Sequence, residues 1–153
     1  MKIVDGKDYL DDIKQLIIEY QNALDRDLSF QSFDDELSNL KGKYTEPNGR
    51  ILVALCDDGK AVGCVAFHKH SNKRCEMKRL YVKPEYRKLH LVGQLVEKII
   101  ETAQGDGYSE MVLDTVKPLQ SAILLYKKYG FYEISPYYNN PMDDVVYMKK
   151  DLI

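Results

Sequence analysis

The chain of 153 residues carries a formal net charge of −2 and three cysteines. Its length predicts a single domain, residues 1–153, and its near-neutral charge gives no electrostatic reason to expect nucleic acid or an anionic membrane as a partner. The sequence lacks an apolar run of the ~20 residues that a membrane span needs, and it lacks the apolar segment of a signal peptide. Since that segment is lacking, we expect a cytoplasmic protein, and an odd number of cysteines fits reduced thiols better than a disulfide framework.

The N-terminal part is predicted to contain two helices that follow a short edge strand at residues 2–4. From Asp8 onward apolar residues recur at helical spacing, and early aspartates suit the positive end of the helix dipole. A second helix is predicted to begin at Ser32, a typical N-cap residue, and to end at Gly42. The apolar stripe of the first helix is Ile13, Leu16, Ile17, Tyr20 and Leu24.

The pattern then changes to strands. Residues 51–55, 61–68 and 75–82 predict an antiparallel meander whose first hairpin turn lies at residues 57–60. Pro84 ends the third strand because proline has no N–H for the ladder, and an amphipathic helix begins at Leu91.

The C-terminal part completes a mixed α/β sheet. A strand at residues 110–114 is reached by crossing over the helix, so we expect it to pair in parallel with the strand at 75–82. A further helix is predicted from Pro118 to Gly130, followed by strands at 131–134 and 145–148.

The short loop between the third strand and the long helix predicts a phosphate-bearing ligand. Free N–H groups at the start of a helix favour an anion. Arg87, Lys88 and His90 add side-chain donors at the same place.

Two motifs, L-Y-V-x-P-E-Y-R at residues 80–87 and A-I-L-L-Y-K-K-Y-G-F at 122–131, resemble the GNAT superfamily of acyl-CoA N-acetyltransferases. The resemblance covers essentially the whole chain and implies a central, mostly antiparallel sheet that is splayed between strands 4 and 5 and flanked by helices. It also implies that acetyl-CoA, as cosubstrate, lies in the splay, where its pantetheine arm pairs with a strand and its pyrophosphate rests on the loop. The residues so implied in cofactor binding are Leu80, Tyr81, Val82, Arg87, Lys88, Leu89, His90, Leu91, Val92, Gly93 and Tyr126.

The phosphate loop departs from the family pattern at two positions. The family usually has Arg or Gln, two residues, Gly, one residue, then Gly or Ala, whereas this chain has His90 and Val92 at the two small positions. Glycine allows positive φ and close approach of the backbone to phosphate. We therefore expect that His90 turns outward, that it donates to phosphate, or that cofactor affinity is reduced.

Two residues are candidates for acid–base catalysis. An amine acceptor with a pKa near 10.4 must lose a proton before it attacks, and Glu76 occupies the strand position where some family members carry the base. The alternative for Glu76 is a solvent-facing glutamate or a partner of Arg79. Tyr126 matches the tyrosine that often faces the CoA sulfur and donates a proton to it, and its alternative is a core aromatic residue.

The acceptor is expected to meet the segment 135–141, which resembles the P-Y-Y-x-N-P loop of one GNAT subgroup. Tyr137, Tyr138 and Asn140 are candidate acceptor-binding residues, and the alternative is a structural loop over the sheet. Arg79, or Arg74, is a candidate clamp if the acceptor carries a carboxylate. The cysteines and histidines lack the spacing of a metal site, so we expect no metal.

The sequence thus predicts an acetyl-CoA-dependent N-acetyltransferase that acts on a primary amine of a small molecule by direct attack in a ternary complex. The alternative is a GNAT-fold acyl-CoA-binding or regulatory module that has lost catalysis. His90 and Val92 favour that alternative, whereas Glu76 and Tyr126 disfavour it. The family resemblance also suggests a homodimer that forms through the edge of a C-terminal strand, and no residue pattern adds to that suggestion.

Overall fold

The computed structural model describes residues 1–24 and 33–153, and within them seven strands form one sheet in the order β1-β2-β3-β4-β5-β7-β6. Neighbouring strands are antiparallel except for β4 and β5, which are parallel. The predicted mixed sheet and its parallel pair are therefore confirmed. The strands are β1 (Lys2–Asp5), β2 (Gly49–Leu55), β3 (Ala61–Lys69), β4 (Arg74–Val82), β5 (Glu110–Val116), β6 (Tyr132–Ile134) and β7 (Val145–Asp151).

Helices cover both faces of this sheet, so each face has its own apolar core. Ile13, Leu16 and Ile17 pack on one face, and the other face is covered by the stripe that begins at Leu91 and Leu95. The described helices are α1 (Leu10–Leu24), α2 (Phe33–Ser38), α3 (Leu40–Tyr44), α4 (Leu91–Gly105) and α5 (Gln120–Lys128).

Two predicted helix boundaries are wrong. The second helix is interrupted at Asn39, whose backbone leaves the helical region (φ −144°, ψ 51°) and whose side chain accepts a hydrogen bond from Gly42 N at 3.2 Å. Asn39 thus starts α3 as its N-cap, and Gly42 lies inside that helix. The predicted cap at Ser32 lies outside the described residues. Pro118 precedes α5, because a turn that ends with Leu119 N donating to Val116 O comes first.

The sheet opens into a fork between β4 and β5. Paired residues in this ladder end at Glu76↔Val112, although both strands continue. The ladder with β3 passes from Ala66↔Lys78 to Cys64↔Tyr81, so Arg79 and Leu80 together oppose Val65. This is a β-bulge, and Arg79 adopts a left-handed backbone there (φ 62°). Because a bulge bends its strand, β4 turns away from β5, which confirms the predicted splay.

Candidate active site

A cavity of about 650 Å³ occupies the fork. This volume lies within the range of small-molecule sites, about 300–1,000 Å³. The walls come from β4, β5, the first part of α5 and one end of α1. The lining residues used below are Tyr20, Lys78, Arg79, Leu80, Tyr81, Val82, Arg87, Val92, Asp114, Tyr126, Met142 and Val145.

The segment Leu80, Tyr81 and Val82 lines the cavity where β4 has left β5. On its other side this segment remains paired with β3, through Cys64↔Tyr81 and Gly63↔Val82. Among the described residues no strand pairs with its cavity-facing edge. An extended ligand can add to such an edge as a strand would, so the geometry suits the predicted pantetheine contact.

Arg87 lies at the end of the cavity next to the start of α4. Its Nε donates to Val82 O at 2.9 Å, and its guanidinium lies 5.6 Å from the centroid of the Tyr81 ring. These two contacts hold the guanidinium group in position, and this group offers five N–H donors in all. Arg87 is therefore positioned to meet an anion in the cavity.

The other predicted loop residues separate into two groups. Val92 lines the cavity, and Gly93 faces the Tyr129 hydroxyl, which would lie 3.1 Å from an added Cβ. The Leu91 side chain is buried in the core, so this residue offers the cavity only its main chain. His90 is exposed and lies immediately before α4. The side chains of Lys88 and Leu89 lie outside the described part of the structure.

His90 adopts the left-handed conformation that glycine allows, with φ 57° and ψ 22°. The loop backbone thus keeps the conformation of a glycine position although the residue is histidine. A non-glycine residue in the left-handed conformation costs the folded state about 1–2 kcal/mol relative to glycine. Replacement by glycine would recover only part of this, because glycine loses more conformational entropy when the chain folds.

We expect His90→Gly to raise the free energy of unfolding by about 0.5–1 kcal/mol in urea denaturation. The matched control is Glu101→Gly, in the regular part of α4, which should lower it by about 1 kcal/mol. Destabilisation by both substitutions would contradict the assignment of backbone strain to His90.

Tyr126, on α5, is buried and also lines the cavity. Its ring packs edge-on against Phe131, with centroids 5.8 Å apart, so it is both a core aromatic residue and a cavity residue. Burial, and secondarily Tyr20 and Asp114, raise its pKa well above the ordinary value. The hydroxyl therefore stays protonated and, among the described residues, donates to no partner. It is available to donate to a ligand atom.

Glu76 is buried and lies outside the cavity lining, which rules out a solvent-facing side chain. Its Oε1 lies 2.7 Å from His68 Nε2, and its Oε2 accepts from the Tyr137 hydroxyl at 2.5 Å. Burial by itself would raise the pKa of Glu76, but the His68 hydrogen bond, the charge of Lys78 and the Tyr137 hydrogen bond lower it to about 2. Glu76 is thus a carboxylate whose two oxygens already have partners.

Arg79 does not pair with Glu76, so that alternative is wrong. Its Nε donates to Glu36 Oε2 at 2.5 Å and its Nη2 to Glu36 Oε1 at 3.0 Å, and both side chains are buried. Arg74 is similarly bound to Glu110, at 2.9 Å. The two arginines considered as carboxylate clamps are therefore engaged with glutamates, and the Arg79 ion pair ties α2 to the bulge in β4.

The loop 135–144 is held to the sheet by hydrogen bonds from the residues predicted to bind the acceptor. Tyr137 donates to Glu76, Tyr138 donates to Asp114, and Asn140 Nδ2 donates to the Tyr138 hydroxyl at 2.7 Å. These three side chains do not line the cavity, whereas Met142 from the same loop does. These contacts are the ones expected of a structural loop that lies over the sheet. Binding of an acceptor by Tyr137, Tyr138 and Asn140 stays a prediction.

Sequence reasoning missed three residues near the fork, although the strand pattern holds a signal for each. His68 is the cross-strand neighbour of Glu76 in the β3–β4 ladder. Lys78 lies two residues after Glu76, and Asp114 two residues after Val112, so both occupy the same face as those residues. Both line the cavity.

Two further properties concern only the described residues. Within residues 1–24 and 33–153, no three or more His, Cys, Asp or Glu side chains are grouped so as to hold a metal ion. No helix of this part of the chain is long and apolar enough to cross a membrane.

Sequence comparison identifies the family. Residues 10–131 match the model of the acetyltransferase (GNAT) family. An uncharacterized N-acetyltransferase of Schizosaccharomyces pombe is 49% identical over 94% of this chain and 88% of its own length. An uncharacterized N-acetyltransferase of Dictyostelium discoideum is 34% identical and matches over 99% of both chains. The protein belongs to the GNAT acetyltransferase family and is an N-acetyltransferase.

Solved structures share the fold. A GNAT-family acetyltransferase of Staphylococcus aureus superposes with a TM-score of 0.83 over 99% of both chains, at 22% identity. A GNAT-family acetyltransferase of Elizabethkingia anophelis, solved with acetyl-CoA bound, superposes with a TM-score of 0.60 over 74% of this chain and 82% of its own, at 20% identity.

Proposed function

We propose that this enzyme transfers the acetyl group of acetyl-CoA to a primary amine of a small molecule by direct attack in a ternary complex. The observation that carries the proposal is the forked cavity, whose lining includes the strand edge at Leu80–Val82, Arg87 and Tyr126. Acetyl-CoA bound to a neighbour with the same fold supports the choice of donor.

The proposed complex places the donor along the fork. The pantetheine arm adds to the edge of β4 at Leu80, Tyr81 and Val82, and the pyrophosphate meets Arg87 and the start of α4. In this arrangement the thioester comes to lie near Tyr126, between β4 and β5.

In the proposed reaction the neutral amine nitrogen attacks the thioester carbonyl carbon, the new C–N bond forms and the C–S bond breaks. The sulfur leaves as a thiolate, and the amine loses one proton. Because the pKa of Tyr126 exceeds the ~8.5 of a thiol, its hydroxyl stabilises the thiolate by donating a hydrogen bond, and full proton transfer from it is uphill.

Glu76, in contact with His68 and Tyr137, remains the proposed base, and because its pKa is lowered to about 2 it passes the amine proton on to solvent and does not keep it. Since it lies outside the cavity lining, the proton has to reach it through water or through one of those side chains. We expect Glu76→Gln to lower kcat/KM more than tenfold at neutral pH and less at high pH, where more of the amine is already neutral.

Glu97→Gln is the control for this substitution, since it makes the same chemical change at an exposed glutamate of α4 and should keep the wild-type profile. The two variants are compared by their profiles of kcat/KM against pH. A Glu76→Gln profile identical to that of the wild type would remove Glu76 from the proton path.

The acceptor is proposed to be a small molecule. Neighbours in fold include a spermidine N-acetyltransferase of Vibrio cholerae and an aminoglycoside 6′-acetyltransferase, so one fold serves acceptors of different chemistry. The fold therefore leaves the acceptor open, and the side chains at the fork have to determine it.

The competing role is a non-catalytic acyl-CoA-binding module, which His90 and Val92 favour. His90 nevertheless holds the left-handed conformation of a glycine position, and Arg87 reaches the cavity. The two roles are separated by incubating the protein and acetyl-CoA with a panel of primary amines and measuring release of the CoA thiol. The proposed function predicts turnover with at least one amine, whereas binding of acetyl-CoA without any turnover would favour the module.

A further inference from the structure

A second pocket, of about 510 Å³, lies on the other side of His68 from Glu76 and is called the α3 pocket below. Its walls come from α3, from Asn48 and from the end of β3 with His70. Asn48 and His70 are exposed, so the pocket is open to water. Glu76 lines neither the α3 pocket nor the cavity in the fork, whereas His68 lines the α3 pocket. The most direct path for a proton from the buried Glu76 to bulk water therefore runs through the His68 ring.

The His68 ring lies between two hydrogen-bond acceptors. Its Nδ1 is 3.1 Å from Lys69 O, and its Nε2 is 2.7 Å from Glu76 Oε1. A neutral imidazole has one N–H, so it can donate to only one of these oxygens. When Nδ1–H donates to the carbonyl of Lys69, the lone pair of Nε2 faces Glu76. One further proton on Nε2 gives an imidazolium that donates to both oxygens, so the site accommodates that proton with every contact satisfied.

Tyr137, which binds the other oxygen of Glu76, is a donor that keeps its proton. Its hydroxyl donates to Glu76 Oε2, and burial, together with the charges of Glu76 and Asp114, raises its pKa far above the ordinary value. Burial alone would raise the pKa of Glu76, but hydrogen bonds from His68 and Tyr137 and the charge of Lys78 bring it to about 2. A carboxyl group this acidic gives up its proton readily to an imidazole, whose ordinary pKa is about 6.5.

We propose that His68 takes the amine proton from Glu76 and releases it to water in the α3 pocket. This inference rests on the proposed function and names the route by which Glu76 is regenerated. As the C–N bond forms, the amine N–H bond breaks and its proton arrives on Glu76. The proton then moves from the carboxyl group to Nε2, and the resulting imidazolium loses one proton to water. His68 thus acts through Glu76 and does not itself touch the acceptor.

The test is chemical rescue of His68→Ala, which opens space beside Glu76 that is continuous with the α3 pocket. Release of the CoA thiol gives kcat/KM for the amine that the wild type turns over fastest, without additive and with imidazole or pyrazole. Pyrazole has the same ring size as imidazole but is a far weaker base, so it fills the space without taking the proton. The matched control is His70→Ala, since His70 lines the same pocket and has no hydrogen bond to Glu76.

We expect His68→Ala to lower kcat/KM at least about tenfold, and imidazole to restore it at least about fivefold while pyrazole does not. His70→Ala should stay within about twofold of the wild type and should not respond to imidazole, which also reports any reaction of imidazole with acetyl-CoA itself. His68→Gln supplies a second readout, because its amide can donate to Glu76 but cannot take a proton. It should remain at least about tenfold below the wild type.

The outcomes separate this inference from the proposed function. Activity of His68→Ala or His68→Gln close to that of the wild type overturns the inference and leaves the proposed acetyl transfer intact. A loss in His68→Ala that imidazole does not reverse, or that pyrazole reverses equally well, also overturns it, because His68 would then only hold Glu76 in place. If circular dichroism shows that His68→Ala does not fold, His68→Gln carries the test. Absence of turnover by the wild type with every amine overturns the proposed function, and this inference with it.

Discussion

Tyr126→Phe is expected to lower kcat about a hundredfold and to leave acetyl-CoA binding within about twofold of the wild type. The ring lies in the core against Phe131, and phenylalanine preserves that packing. What the substitution removes is the hydroxyl, which is protonated and belongs to a residue that lines the cavity. A group that assists departure of the leaving atom typically raises the reaction rate 10²–10⁴-fold. We expect a value near the lower end for Tyr126, because it donates a hydrogen bond without fully transferring its proton.

The control for this substitution is Tyr132→Phe on β6, an exposed tyrosine that donates to Asp151 at 3.1 Å. That variant should keep wild-type kcat and KM. Single-turnover measurements separate the chemical step from product release. A wild-type rate of the chemical step in Tyr126→Phe would show that the hydroxyl does not act on the leaving sulfur, and Tyr126 would then be a core residue only.

The second large effect concerns the buried Glu36–Arg79 ion pair. Glu36→Gln is expected to lower the free energy of unfolding by about 3–5 kcal/mol in urea denaturation, because it removes the negative charge that Arg79 binds through two hydrogen bonds in a buried ion pair. The control is Glu19→Gln, whose half-exposed pair with Lys83 at 3.0 Å is worth at most about 1 kcal/mol. The double variant Glu36→Leu with Arg79→Met, which removes both charges, should regain most of the loss.

A loss below about 1 kcal/mol in Glu36→Gln would mean that the pair does not hold α2 against the bulge. The pKa of Glu36 supplies an independent readout. Burial would raise this pKa, but the hydrogen bond and charge of Arg79 and the charge and hydrogen bond of Lys43 bring it to about 2. Because the folded value is depressed, its stabilisation is present above the unfolded pKa near 4.5 and is lost as the pH falls from 4.5 toward 2. The Gln variant should lack this part of the acid dependence.

The sequence predicted the elements that depend on neighbouring residues. Alternation and turn residues placed the meander, and the crossover helix at Leu91 required the parallel pair β4–β5. The L-Y-x-x-x-G-F motif predicted Tyr126 as a site residue, and in the structure Tyr126 lines the cavity. The segment Leu80–Val82 lines the cavity as well.

What the sequence did not predict depends on contacts between distant parts of the chain. Strict alternation from Met77 assigns Arg79 to the α4 face of the sheet, but the bulge turns its side chain to the opposite face, where Glu36 binds it. A bulge with a left-handed arginine has no reliable sequence signal. The interruption at Asn39 was also not predicted. Asparagine can occupy the interior of one long helix, but its side chain can instead hydrogen-bond to the backbone and cap a new helix, and the local sequence does not distinguish the two.

The acceptor side was the least predictable part, because its residues lie on four elements. Tyr137 and Tyr138 were recognised as a motif, yet their hydroxyls donate to Glu76 and Asp114. Lys78 and Asp114 line a cavity because β4 and β5 stop pairing after Glu76↔Val112. Neither strand by itself indicates where that separation begins.

The measurement that tests the central claim most directly is a calorimetric titration of the purified protein with acetyl-CoA and, in parallel, with CoA. The matched variant is Arg87→Met, which keeps the aliphatic part of the side chain and removes the guanidinium at the cavity end. We predict one site with a Kd in the micromolar range for the wild type, weaker by at least tenfold in Arg87→Met, which is about 1.4 kcal/mol or more. Absence of binding to the wild type at hundreds of micromolar would contradict the account, because the fork could then not be the site of acetyl transfer.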